Sequence, residues 1–157
     1  MDTHTLIIFV GNYCATTLNL WFGHWFSHVK RSPLAGFHVS GHHAFYPDSG
    51  HMRSDAFIYG AGRSSSIFAF LPWLVLQAGI QLVVLPPRTF LLCFVETALI
   101  VAALNYLHTQ FHLTRSRLEG FRWFRVARQR HEVHHDRDIN YMVGDHFWDR
   151  RFGTYVG

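Results

Sequence analysis

The chain alternates between long apolar runs and shorter polar stretches dense in histidine. Thr5 to Phe22, TLIIFVGNYCATTLNLWF, holds no charged residue and is about long enough to cross a hydrocarbon core at roughly 1.5 Å per residue. Ile67 to Leu85 is a second apolar run, closed by Pro86 and Pro87, and Thr89 to Leu107 is a third. The double proline with Arg88 predicts a tight hairpin tip between two antiparallel helices, so the polar stretches on either side return to one face. The pattern predicts an all-α integral membrane helical bundle, about three transmembrane helices under a histidine-rich helical cap, in a single domain over residues 1–157. A soluble four-helix bundle is the competing architecture, since buried helices are also apolar all round.

Details refine this picture. A secretory signal would need a basic start and a small-residue cleavage site, whereas the first run opens with Asp2 and leads into Trp21, His24 and Trp25. Trp21, Trp25 and Phe26 suit an interfacial aromatic belt, and the helix is expected to continue and carry His24 and His28 on one face. Gln77, Gln81, Glu96 and Asn105 fall inside the apolar runs, where each should face another helix or a wet cavity; for Glu96 the alternatives are interhelical hydrogen bonding and a functional role. The tail from Asp145 to Tyr155 is aromatic and basic, as in a segment lying against a membrane.

Composition adds the charge and the chemistry. The 157 residues are 49% hydrophobic and 17% aromatic, yet include thirteen histidines and carry a formal charge of +4. Cys14 and Cys93 both lie in apolar runs, so neither a disulfide framework nor a zinc ribbon is implied. Lys30, Arg31, Arg53, Arg63 and the Arg115 to Arg130 group flank the histidine face, and only Arg88 sits opposite, so that face is expected to be cytoplasmic. Beside apolar spans such basic residues address an anionic lipid surface rather than nucleic acid.

Ten histidines fall in four clusters: His24 and His28; His38, His42 and His43; His108 and His112; His131, His134 and His135. On a helix the last three leave one face and are expected to converge on one point. Lone histidines such as His4 and His51 read as satisfied polar groups, but repeated pairs at spacings of 3 and 4 on one membrane face read as metal ligands. The set exceeds what one tetrahedral ion can use, so two ions are the natural count, and imidazole suits zinc, copper, iron and nickel alike. His131, Glu132 and His135 also satisfy H-E-x-x-H, the zinc-protease pattern, but that mechanism leaves the other clusters without work. Glu132, Asp136 and Asp138 then become candidate acceptors for the outer N–H groups of ligating rings, or else merely balance the nearby arginines.

HWFSH at His24 to His28, FHVSGHHAFYP at Phe37 to Pro47, HTQFH at His108 to His112, RHEVHH at Arg130 to His135 and NYMVGDHFWDRRFGTY at Asn140 to Tyr155 together resemble the fatty acid hydroxylase and sterol desaturase superfamily of membrane-bound histidine-box oxygenases. One departure is the second box, H-x-x-x-H-H where the family usually has H-x-x-H-H; on a regular helix this places His38 over His42 with His43 about a quarter-turn away. The resemblance implies a di-iron centre, O2 as co-substrate and hydroxylation of a lipid C–H bond, with desaturation the nearest variant and zinc a possible replacement metal in purified protein. It implies His24, His28, His38, His42, His43, His108, His112, His131, His134 and His135 as ligands, with Asn140, Asp145 and His146 as helpers and His146 a further candidate ligand. The chain has no flavin, nicotinamide or iron–sulfur fingerprint, so a separate ferredoxin or cytochrome-type donor with its reductase is expected. A non-enzymatic metal-binding or transporting membrane protein is the different-class alternative; it would string ligands through the spans instead of past their ends.

Overall fold

The computed structural model describes residues 3–58 and 67–157, and among these every regular element is helical. The order is α1 (Thr3–His28), a short α2 (Ala35–Phe37) leading into a π-helical turn (His38–His43), α3 (Ile67–Val84), α4 (Pro87–Phe111), α5 (Arg122–Asp136) and α6 (Phe147–Phe152). The hairpin predicted at the double proline is present. Pro86 takes an extended conformation before α4, and Pro87 opens the helix where its missing N–H costs nothing.

Two helices, α1 and α4, are long and apolar enough to cross a membrane. The third predicted span is shorter in helix: the 18 residues of α3 rise about 27 Å against a hydrocarbon core of about 30 Å. All three turn apolar side chains outward, with Val83, Leu99 and Ile7 among the exposed residues, and polar ones inward. Asn12 is the centre of that interior. Its Nδ2 donates to Glu96 Oε2 at 2.8 Å and the Cys93 carbonyl at 3.0 Å, while its Oδ1 accepts from Gln77 at 3.0 Å and Gln81 at 2.7 Å. Thr16 and Thr97 close the network at 3.0 Å. Glu96 therefore serves interhelical bonding, as do Gln77 and Gln81, while Asn105 is exposed and takes no part. Nearer the histidines Gly23 lets α3 approach α1, since a Cβ there would stand 2.8 Å from Trp73 Cδ1 and 3.0 Å from the Ala69 carbonyl.

Several sequence expectations change in the structure. Trp21 is buried, not at a lipid interface: it stacks on Phe152 at 4.4 Å and donates to Asp149. The tail consequently folds back on α1, with Trp148 Nε1 donating to Thr17 at 3.0 Å. Arg128 does not face a lipid surface either. It is buried, pairs with Glu119 at 2.5 Å and donates to the Gln110 carbonyl at 3.1 Å, tying α5 to the last turn of α4. Asp2 and Arg63 lie outside the described residues.

Apolar helices gain little from one another in lipid, so hydrogen bonds of the Asn12 network carry weight there. Asn12→Ala is expected to lower stability by about 1–2 kcal/mol, measured as reversible unfolding in detergent micelles, whereas Leu99→Ala on the exposed face should change it little. Equal effects of the two would show that the network does not hold the helices.

Candidate metal centre

Four separate pieces of backbone deliver imidazoles to one end of the bundle, and they sort into two adjacent groups. His24, His28, His38, His43 and His134 form the first, and His42, His108, His112 and His131 the second, each with its ligand nitrogens within 4.8 Å of one another. His135 borders the second group, its Nε2 3.2 Å from His131 Nε2. The two groups abut, since His43 stacks on His135 at a centroid distance of 4.4 Å.

Local geometry explains the sorting. His131, His134 and His135 do not converge on one point: His134 joins the first group and His131 and His135 the second. Successive helical residues point about 100° apart, so neighbours can serve two centres side by side. The irregular second box is resolved by the π-helical turn over His38–His43. Its wider winding lets residues five apart share a face, and His43 Nε2 comes to 3.2 Å from His38 Nε2. His42 points to the second group instead, 4.7 Å between ring centroids from both His108 and His112.

The outer ring nitrogens fix what the inner ones can be. His24 Nδ1 donates to the Tyr141 carbonyl, His134 Nδ1 to Ile139 at 2.8 Å, His112 Nδ1 to Met52 at 2.8 Å and His135 Nδ1 to Tyr46 at 2.5 Å. A carbonyl only accepts, so each of these rings has its proton on Nδ1 and a lone pair on Nε2. Yet His24 Nε2 and His134 Nε2 stand 3.0 Å apart with no proton to place between them. Two buried lone pairs at that distance repel unless a cation lies between their axes. The Nε2 atoms of His28 and His42 are likewise buried without a partner. Neighbouring nitrogens about 2.0–2.1 Å from one ion and at right angles stand about 3 Å apart, which matches this packing. The residues present fit one cation in each group.

Burial keeps the set neutral. It pushes His38, His42, His112, His131 and His134 well down from the usual imidazole value and His135 down to about 4, and neighbouring histidines add to the effect in each, with the Tyr46 carbonyl offsetting part of it at His135. Neutral imidazole is the form that binds metal.

The remaining predicted residues lie outside the two groups. Glu132 pairs with Arg53, and Asp136 accepts from the Ser49 amide at 2.9 Å. Asp138 alone of the three meets a grouped ring, His28 Nδ1, at 2.8 Å. Asn140, at a left-handed φ of 54°, pairs with the Val156 backbone at 2.8 and 2.9 Å and so pins the tail. Asp145 accepts from the Tyr13 hydroxyl at 2.7 Å. His146 is buried with its Nδ1 2.9 Å from Asp149, away from both groups. Asp149 is the residue that sequence reasoning passed over. It has no exposed surface, and its carboxylate accepts from Trp21, Thr154, His146 and the amides of Tyr141 and Met142. Its sequence signal is its place between Trp148 and Arg150 in the closing motif from Asn140 to Tyr155, three residues after a histidine.

A family model described as fatty acid hydroxylase matches residues 9–154, which takes in every grouped histidine and Asp149. No curated protein and no solved structure matches the chain.

The depressed imidazoles set a pH dependence. Below the unfolded value near 6.5 the unfolded chain binds more protons than the folded one, so stability is lost as pH falls and is flat above about 7.5. Metal-stripped protein is therefore expected to melt several degrees lower at pH 5 than at pH 7, and at the same temperature at pH 7.5 and 8.5. A melting temperature unchanged between pH 5 and 7 would mean that the imidazoles are not held neutral.

Proposed function

The chain belongs to the fatty acid hydroxylase family, and we propose that it is a membrane-bound oxygenase that hydroxylates a lipid C–H bond with O2, two iron ions and electrons from a separate donor. The observation that carries this reading is an apolar cleft ending on both histidine groups. Leu20, Phe70, Val101 and Leu104 line its walls, and His24, His38 and His108 stand in its lining. Iron held there would supply what no acid or base side chain can, the oxidising power against an alkyl C–H bond. The protein's own part is position and exclusion of water. The apolar walls bury an alkyl chain lengthwise, α1, α3 and α4 present it from the lipid side, and the tethered imidazoles keep the inner nitrogens pointed at its end.

In this reading α3 is a third membrane helix, and its 18 residues fit a bilayer locally thinned beside α1 and α4. The histidine end faces the cytoplasm, where Lys30, Arg31 and the basic residues of α5 lie. An acidic ferredoxin or cytochrome-type donor would meet exposed Arg122 and Arg125 beside exposed Phe121 and Trp123. A zinc-protease reading is disfavoured because Glu132, the base it requires, is taken up by Arg53.

Lipid extracts from cells with and without the protein should differ by a gain of one oxygen in the product, and O2 uptake by purified protein should require both lipid and reductant. Val101→Trp, which fills the cleft, is expected to cut turnover about tenfold or more with metal content unchanged. A loss of two hydrogens in place of the oxygen gain would assign desaturation, and full activity in Val101→Trp would remove the cleft as the substrate route.

A further inference from the structure

We propose that Asp149 is a positioning residue for the first histidine group, acting on His24 through the single Tyr141–Met142 peptide. The proposal rests on the metal reading of the two groups but not on the oxygenase reading. The Met142 N–H donates to Asp149 Oδ2 at 2.9 Å, and the carbonyl of that same peptide accepts from His24 Nδ1. On the far side of the ring, His24 Nε2 stands 2.8 Å from His38 Nε2 and 3.0 Å from His134 Nε2. Carboxylate, peptide, imidazole and cation position thus form one hydrogen-bonded line. An anion on the N–H end of a peptide polarises its carbonyl, and a more negative carbonyl draws harder on the imidazole proton and strengthens the lone pair opposite.

The two groups differ in this respect. In the first, His28 meets the Asp138 carboxylate directly and His24 meets Asp149 at one remove. In the second, the partners of His112 and His135 are the Met52 and Tyr46 carbonyls, and among the described residues no carboxylate hydrogen-bonds a ring of that group. The first group is therefore the stronger cation site.

Asp149 also ties the tail to α1, so the test must separate charge from scaffold. Asp149→Asn does this. Three donors, from Trp21, Tyr141 and Thr154, hold Oδ1, so the amide nitrogen takes the Oδ2 place. There His146 can switch tautomer and accept, its Nε2 having no other partner, while the Met142 N–H alone loses its acceptor. Thr154→Val removes one donor to Asp149 and keeps the charge.

The chain in detergent would be loaded with cobalt(II) and titrated against a chelator. The unaltered protein should hold two ions of different affinity, the tighter being the one that His28→Ala weakens. Asp149→Asn should weaken that same ion about tenfold and leave the other within about twofold, and Thr154→Val should leave both within about twofold. Equal weakening of both ions in Asp149→Asn, or of neither, overturns the proposal. So do two ions of equal affinity in the unaltered chain, which needs no variant to fold. Uptake of no ion at all overturns the metal reading with it, whereas two ions without any lipid oxidation leave this proposal standing and defeat the oxygenase reading.

Discussion

The arrangement depends on where ring protons go. Each tethered imidazole spends its one N–H on a backbone carbonyl, which leaves the opposite nitrogen as a bare acceptor facing others of its kind. A buried polar group without a partner costs about 1–3 kcal/mol, and the two tethered rings of His24 and His134 bring such acceptors to 3.0 Å from each other. Packed apolar surroundings and the tethers prevent the rings from turning away. A cation in each group would take up the inward-facing nitrogens there, which is why the tethers and the metal capacity are one feature rather than two.

That requirement also accounts for the irregular backbone around the site. Carbonyls inside a helix are already committed to the amide four residues on, so tethers must come from residues outside or at the ends of helices. Tyr46, Met52, Ile139 and Tyr141 are all such residues. They are themselves fixed: Ser54, two residues after Met52, bonds the His112 carbonyl at 2.9 Å and the Thr114 amide at 3.0 Å, and Asp149 holds the amides of Tyr141 and Met142. The loops and the folded-back tail therefore belong to the site as much as the helices do.

The sequence made the ligand types legible but not their partition. Spacings of 3 and 4 identify which histidines share a helix face, and the same ten residues gather at one end of the bundle. Which of two neighbouring centres each ring serves depends on the placement of the other helices, so the split of His134 from His131 and His135 could not be read from spacing. The extra residue in the second box was visible as an anomaly, yet its resolution by a π-helical turn is a backbone property with no composition of its own. Asp149 and Trp21 were hidden for a different reason. Charge and aromaticity in a terminal stretch look the same whether the segment lies on a surface or folds inward, and only the donors arriving from α1 and from Tyr141 distinguish the two.

The same logic of fixed ends explains how a bundle of three helices can keep an apolar cleft open. Thr16 and Thr97, bonded to each other at 3.0 Å, lie four residues before Leu20 and Val101, the residues lining the apolar cleft from α1 and α4. One helical turn thus separates the polar network from the cleft, and on its other side stand the histidines. Helices pinned at both levels by hydrogen bonds need no tight apolar packing between them. In lipid that middle layer is free to stay lined by alkyl side chains, since the surrounding hydrocarbon exerts no hydrophobic drive to close it. Polar groups placed deep and high in the bundle, with apolar ones between, leave the helices joined and the cleft between them open.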